Sequence, residues 1–124
     1  MSCDRNPSEL REFTKKELVN ADVIIAGAGM AARLPGFVKS ELCMLGHPEI
    51  PVIGVAFEGS SSADNQAAVG CIERIPGQPV ELDADGHAYF GSGGFFEACV
   101  AAIRNEFLPR NIEHKPPQID FIKL

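Results

Sequence analysis

The segment VIIAGAGMAARLPG, residues 23–36, decides the fold of this chain. Its first four residues are a continuous apolar run, which is typical of a strand that is buried on both faces of a parallel sheet. Small residues then follow over most of positions 27–32, and a helix is predicted over residues 34–45. Glycines and alanines directly after a buried strand indicate that the main chain comes very close to another group.

The same order of strand, loop and helix recurs along the chain. Residues 51–57 (PVIGVAF) predict a second buried strand, the loop EGSSSADN follows it, and residues 66–75 predict a helix. Before the first strand, residues 7–18 predict a helix with Asn6 at its N-cap. This alternation indicates an α/β protein with a mainly parallel sheet.

The last third of the chain is less regular. Residues 79–90 predict a pair of strands joined by a turn at Asp85-Gly86, and residues 94–108 predict a helix. One apolar face of that helix contains Phe96, Cys99 or Val100, Ile103 and Phe107. We expect residues 1–108 to form a single domain, and we expect the proline-rich tail, residues 109–124, to dock its apolar end on a neighbouring subunit.

Composition and charge exclude several classes of function. The 124 residues carry a net charge of −6 without a basic run, which argues against a nucleic-acid partner. No apolar run approaches the ~20 residues that span a bilayer, and the polar N-terminal region does not resemble a signal peptide. We therefore expect a cytoplasmic protein without a membrane partner.

The cysteines and histidines give no sign of a metal site. The 4 cysteines are far apart and are expected to be free thiols. The histidines, His47, His87 and His114, lack the spacing of metal ligands, and we interpret them as non-catalytic.

Ligands of a parallel α/β sheet bind beyond the carboxyl ends of its strands, which places GAGMAARLPG, EGSSSADN and FGSGG on one functional edge. One interpretation of the first loop is dinucleotide binding, because Gly27, Gly29 and Ala32 fit the pattern G-x-G-x-x-G/A. Pro35 argues against it, since a dinucleotide-binding helix would already be in its second turn at that position. The acidic residue expected ~20 positions further on is also lacking. A glycine-rich turn without any ligand is the other interpretation.

The wider pattern is more specific. VIIAGAGMAARLPGFV, PVIGV and IPGQPV follow one another in this chain, and residues 2–7 read SCDRNP. The PurE family typically shows GAGGAAHLPG, PVIGVP and M-P-G-G-x-P-V in the same order, preceded by S-A-H-R-N/T-P. Over residues 2–105 the chain therefore resembles the PurE family, the aminoimidazole ribonucleotide carboxylases and carboxyaminoimidazole ribonucleotide mutases of purine synthesis.

The resemblance implies a flavodoxin-like three-layer α/β/α sandwich that assembles as a symmetric octamer and works without a metal or an organic cofactor. Its ligand would be a small imidazole ribonucleotide, which it would carboxylate or whose carboxylate it would move to carbon 4. Arg5 would hold the substrate phosphate, a role that suits a bidentate guanidinium. The other substrate-binding positions that the resemblance implies are Ser2, Gly27, Ala28, Gly29, Met30, Ala31, Arg33, Leu34 and Pro35.

Three side chains depart from the family pattern. Asp4 stands where the family has the histidine that moves a proton on and off the ring carbon, Arg33 replaces a second histidine, and Met30 replaces a glycine. A histidine, with a pKa of ~6.5, exchanges protons near neutrality, whereas an aspartate starts from ~3.9. Asp4 is the catalytic candidate, and we hypothesise that it forms an ion pair with Arg33 across the site.

Other interpretations of these departures stay open. Asp4 is also compatible with a solvated or capping residue before a helix, and Arg33 with a surface arginine on a first helical turn. The chain is then either an enzyme of purine synthesis or a catalytically impaired binding or regulatory protein that pairs with an active paralogue.

The family also has a strand and a G-S-x-S-D loop ahead of the position of Ser2. The resemblance therefore implies an N-terminally shortened sandwich in which the strand of residues 21–27 lacks one neighbour. An unpaired apolar edge attracts another strand. The sequence begins late, or a second chain supplies the strands, or the edge pairs with another copy of this chain.

Overall fold

Three strands and four α-helices alternate along the part of the chain that the computed structural model describes, residues 1–74 and 80–107. In chain order they are α1 (Pro7–Lys16), β1 (Ile24–Ala28), α2 (Leu34–Met44), β2 (Val52–Ala56), α3 (Ser62–Glu73), β3 (Tyr89–Phe90) and α4 (Gly91–Arg104). A short 3₁₀ helix, Leu18–Asn20, precedes β1. The tail of residues 109–124, for which docking on a neighbouring subunit is predicted, lies outside the described residues.

The sheet has the order β1-β2-β3, and both pairings are parallel. β1 pairs with β2 along its whole length, from Ile24 opposite Val52 to Ala28 opposite Ala56. Every residue of β2 is buried, as its continuous apolar run predicts. Among the described residues, β1 has no strand on its other side. The open edge of β1 is therefore present in this part of the chain, whereas the strand that would cover it stays a prediction.

The side chains of β2 alternate between two apolar clusters, one on each face of the sheet. Val52 and Ala56 pack in the larger cluster, which α1, α2 and α3 complete. Ile53 and Val55 pack in the smaller cluster with α4. Helices thus cover both faces, and the fold is the predicted flavodoxin-like three-layer α/β sandwich.

The predicted strand pair in residues 79–90 is wrong. The described part of this segment makes a parallel bridge from Glu81 to Ile53 and then continues as β3, which also runs parallel to β2. Between them, the N–H of Gly86 donates to the carbonyl of Asp83 and closes a turn. Both pieces follow the same edge of β2 in the same direction, so the turn interrupts one edge strand instead of reversing the chain.

α3 begins within the segment that the sequence predicts as a loop. Ser61 is its N-cap, and its hydroxyl accepts the N–H of Asp64 at 3.2 Å. The Asp64 carboxylate accepts the N–H of Ser60 at 3.0 Å, and the Asn65 amide oxygen accepts the N–H of Gly59 at 2.8 Å. The polar residues of EGSSSADN therefore cap a helix, which explains their type without a ligand.

α4 packs on the sheet through small residues, and two of its large apolar residues point away. Phe96 is 69% exposed and Ile103 is 86% exposed. The buried residues of α4 are Gly91, Gly94, Ala98 and Ala101. A Cβ on Gly94 would lie 2.9 Å from the carbonyl carbon of Tyr89, so the helix approaches β3 too closely for any side chain there.

We expect Gly94→Ala to lower the free energy of unfolding by about 1–3 kcal/mol, because its methyl group would meet main chain that cannot move aside. The neighbouring Gly93→Ala is the matched control: a Cβ there meets nothing within 4 Å. It should raise stability by about 0.5–1 kcal/mol through helix propensity. Urea unfolding measures both, and equal stability of the two variants would contradict the close packing of α4.

Candidate functional site

The glycine loop, residues 27–33, begins at the carboxyl end of β1, where parallel sheets bind ligands. Its two glycines have different reasons to lack a side chain. A Cβ on Gly27 would overlap the ring of the half-buried Phe57, so glycine at this position lets that ring pack against the main chain. A Cβ on Gly29 would meet nothing within 4 Å. Gly29 therefore presents bare main chain to open space.

A tight turn separates the glycine loop from α2. Ala31 has a φ of 53°, in the left-handed region that costs a residue with a side chain about 1–2 kcal/mol. The N–H of Arg33 donates to the Ala31 carbonyl at 2.6 Å, and α2 begins at Leu34. Pro35 thus lies in the first helical turn, where it costs no hydrogen bond. Because α2 starts beyond Ala32, the segment departs from the dinucleotide-binding geometry, in which the fingerprint opens the helix.

The N-terminal segment, residues 1–6, lies against the glycine loop. The Ser2 hydroxyl accepts the N–H groups of Asp4 and Arg5, each at 3.3 Å, and the Ser2 carbonyl accepts the N–H of Asn6 at 2.9 Å. These bonds shape a turn that leads into α1 and set the directions of Asp4 and Arg5. Ser2 therefore has a structural role in this turn.

A cavity of about 260 Å³ lies between the N-terminal segment and the glycine loop. The sequence-predicted site residues that line it are Ser2, Asp4, Arg5, Gly27, Ala28, Gly29, Met30, Ala31, Arg33 and Leu34. Pro35 does not line it, because this residue is fully buried in α2. Met1 and Cys3 also line it. Neither residue is predicted from the sequence, and the signal that could have indicated them is that they flank predicted site residues.

The guanidinium of Arg33 forms an ion pair with the carboxylate of Asp4. The hypothesis of a pair between these two side chains is therefore confirmed. Both side chains are more than half exposed, at 57% for Arg33 and 58% for Asp4, so water and salt screen their attraction. The Cys3 thiol lies 3.7 Å from the other carboxylate oxygen of Asp4.

A second cavity of about 480 Å³ shares the Asp4–Arg33 pair with the first. Its other walls include Arg11, whose Nε lies 3.1 Å from the Glu41 carboxylate. The Arg11 guanidinium also lies 5.5 Å from the centre of the Phe37 ring. Arg11 is thus held by a largely buried carboxylate and an aromatic face, whereas Arg33 is held by one exposed carboxylate.

The histidines that the structure describes lie away from both cavities. His47 Nδ1 is 3.3 Å from the Glu49 carboxylate, and His87 Nδ1 is 3.4 Å from the Glu73 carboxylate. Within residues 1–74 and 80–107 no group of three or more side chains could hold a metal ion. The four cysteines are free. None of the described helices has the length and apolarity needed to cross a bilayer.

Comparison with known families agrees with this geometry. Residues 1–115, which contain the N-terminal segment and the glycine loop, match the model of the family described as AIR carboxylase. The chain belongs to the AIR carboxylase family. The resemblance to PurE proteins is thereby confirmed.

Individual members of the AIR carboxylase family show the extent of the similarity. The N5-carboxyaminoimidazole ribonucleotide mutase of Haemophilus influenzae is 32% identical over 103 residues, which are 82% of this chain and 59% of that protein. The mutase of Thermotoga maritima is 32% identical over 114 residues, 91% of this chain and 62% of that protein. The mutase of Pyrococcus abyssi is 38% identical over 81 residues, 64% of this chain and 43% of that protein.

The chain thus spans about three fifths of the length of the first two relatives, 59% and 62%. No solved structure gives a significant match to it. The Asp4–Arg33 pair stands at two positions where the resemblance described above implies histidines.

We expect the Asp4–Arg33 pair to contribute only about 0.2–1 kcal/mol to folding, because both partners are exposed. A double-mutant cycle with Asp4→Ala and Arg33→Ala, followed by urea unfolding, measures this coupling. It should vanish at about 1 M salt, where charges are screened beyond ~3 Å. The control cycle is Arg11→Ala with Glu41→Ala, whose carboxylate is only 12% exposed and whose coupling should persist. If salt does not change the coupling energy between Asp4 and Arg33, the conclusion that their ion pair is exposed to solvent would be contradicted.

Proposed function

We propose that this chain acts in de novo purine biosynthesis, where it carboxylates aminoimidazole ribonucleotide or moves the carboxylate of the carboxyamino form to carbon 4. The observation that carries the proposal is the coincidence of the family match with a cavity formed by the two segments that hold the family pattern. The relatives named above are mutases, and because the chain spans only part of their length, its own activity is a proposal.

The chemistry of the cavity suits an anionic, planar ligand. Gly29 offers main chain without a side chain, against which a flat imidazole ring can lie. Arg5 and Arg33 line the same cavity and supply guanidinium groups for a phosphate and a carboxylate. The start of α2 adds the partial positive charge of a helix N-terminus. A net charge of −6 does not prevent this, because the anion site is local.

The reaction needs a group that accepts a proton. When carbon 4 of the ring forms a bond to the new carboxylate, it loses the hydrogen that it carried, and a nearby base must take that proton. Asp4 is the carboxylate in the cavity, and we assign it this role. A carboxylate is an intrinsically weaker base than an imidazole, so an aspartate at this position is a weaker proton acceptor than the histidine that the resemblance implies there.

The second candidate function is a binding or regulatory protein that has lost turnover and pairs with an active paralogue. The Asp4–Arg33 pair favours it, because the two positions that carry histidines in the family pattern are engaged with each other. Such a protein would still bind the imidazole ribonucleotide through Arg5 and the glycine loop.

The remaining expectations stay predictions. These are a cytoplasmic location, the absence of a metal or organic cofactor, and a homo-oligomer, an octamer by resemblance. The exposed apolar face of α4, with Phe96 and Ile103, is the surface on which we expect another copy of the chain to pack.

We expect measurable but slow turnover by the unmodified chain in carboxylase and mutase assays. The double variant Asp4→His/Arg33→His should be faster by about 100-fold, the usual size of a general acid–base contribution. The double variant Asp22→His/Arg74→His, which makes the same exchange at two exposed positions outside the cavity, should leave the rate unchanged.

Calorimetric titration of the unmodified chain with aminoimidazole ribonucleotide separates the candidates. Binding with turnover supports the enzyme, and binding without turnover in either assay supports the regulatory protein. Absence of both binding and turnover contradicts both candidates, and full activity before any substitution contradicts the impairment that we assign to the Asp4–Arg33 pair.

We also expect Gly29→Val to weaken the binding of aminoimidazole ribonucleotide about tenfold, or roughly 1.4 kcal/mol, because the new side chain would fill the space above the bare main chain. The folded state should keep its stability, since nothing lies within 4 Å of the new Cβ. Gly70→Val, at an open glycine of α3 that lines neither cavity, is the control and should bind normally. Equal affinity of both variants would show that the ligand does not lie against Gly29.

A further inference from the structure

Arg33 lies where positive charge accumulates. It occupies the N-cap position of α2, next to the positive end of the helix dipole, and no side chain caps that end. A cation at this place is unfavourable unless an anion neutralises it. Asp4, from the N-terminal segment, supplies that anion through its contact with the guanidinium.

The other arginines near the two cavities are in different situations. Arg11 is paired with Glu41, whose side chain is only 12% exposed, so an incoming anion cannot easily replace that partner. Arg5 lines the smaller cavity and makes no ion pair within the described part of the chain. Among the arginines of residues 1–74 and 80–107, Arg33 is the one that combines a position on both cavities with an exposed partner, which is 58% exposed and therefore replaceable.

A ligand anion can replace Asp4 at Arg33 because of the chemistry of the Asp4 carboxylate. One oxygen of the Asp4 carboxylate contacts the guanidinium, and a carboxylate or a phosphate of a ligand would present oxygens of the same kind to it. The guanidinium cannot give its full set of bonds to both anions at once, and two anions on one cation also repel each other. An anionic ligand that reaches Arg33 therefore competes with Asp4 and gains its full set of bonds by displacing it.

We infer that Asp4 is an internal counter-anion that occupies Arg33 in the unliganded chain and that an oxyanion of the ligand displaces it. The identity of that ligand as an imidazole ribonucleotide rests on the proposed function, but the competition for Arg33 does not. Asp4 thus sets the affinity and the selectivity of the cavity for anions, in addition to the role in proton transfer that we assign to it.

The competition is tested first with inorganic phosphate as the probe, by ¹⁵N NMR titration of the amide signals of the glycine loop. Asp4→Asn removes the competing charge and should bind phosphate about two- to fivefold more tightly, the range that corresponds to an exposed ion pair. Asp22→Asn makes the same change of net charge at an exposed position outside both cavities and should leave the affinity unchanged. The gain in phosphate affinity should disappear in the double variant Asp4→Asn/Arg33→Gln, because this variant lacks the guanidinium for which Asp4 and phosphate compete.

Equal affinities of Asp4→Asn and Asp22→Asn would overturn the inference, as would a gain that survives the loss of Arg33. If Asp4→Asn does not fold, as judged by thermal unfolding, Asp4→Ser removes the same charge and replaces it in each comparison.

Titrations with two ribonucleotides then identify which oxyanion of the ligand binds to Arg33. Aminoimidazole ribonucleotide carries a phosphate, and its 4-carboxylated form adds a carboxylate. If Asp4→Asn binds only the carboxylated ribonucleotide more tightly than the unmodified chain does, Arg33 contacts the ring carboxylate. If it binds both ribonucleotides more tightly and to an equal extent, Arg33 contacts the phosphate. Binding of both ligands without any gain overturns the inference and leaves the proposed function standing. A gain for inorganic phosphate without binding of either ribonucleotide overturns the proposed function and leaves the inference standing.

Discussion

The parallel pairing of β1 with β2 is the constraint on which the rest of the structure depends. Its register, Ile24 opposite Val52 through Ala28 opposite Ala56, brings the carboxyl ends of both strands to one edge of the sheet. The glycine loop must start there, because β1 ends there. Burial of β2 on both faces holds this register, since a shift by one residue would exchange the side chains of the two apolar clusters.

The site combines a main-chain scaffold with one exposed ion pair. The scaffold consists of the turn around Ser2, the bare main chain at Gly29 and the start of α2, and these elements line or border the cavity. The ion pair joins Asp4 to Arg33, at two positions where the resemblance implies histidines. Under the functions proposed above, proton transfer by Asp4 and anion binding by Arg33 would be coupled, because each group would have to leave the other.

The fold class could be predicted from local pattern, and most of the candidate site from the family resemblance. Continuous apolar runs predicted β1 and β2, and the resemblance carried by SCDRNP and GAGMAARLPG implied the residues that form the two walls of the cavity. Patterns failed where packing between elements decides the outcome. Phe96 and Ile103 are as apolar as core residues, yet α4 turns them outward because Gly94 allows the closer approach to β3. Pro35 belongs to the motif, yet it is buried in the first turn of α2, away from the cavity.

The amino-acid sequence by itself determined the class of the fold, the position of the glycine loop after β1 and the presence of Asp4 and Arg33 at positions where the family resemblance implies histidines. The first two properties follow from local periodicity and the third from comparing residue identities with the family motifs, and none requires knowledge of distant contacts. Only the tertiary structure decided that Asp4 and Arg33 meet, that Gly27 serves packing while Gly29 faces open space, and that the segment after α3 runs parallel to β2. Each of these depends on the distance between residues far apart in the chain, and that distance is set only when the sheet and its helices pack together.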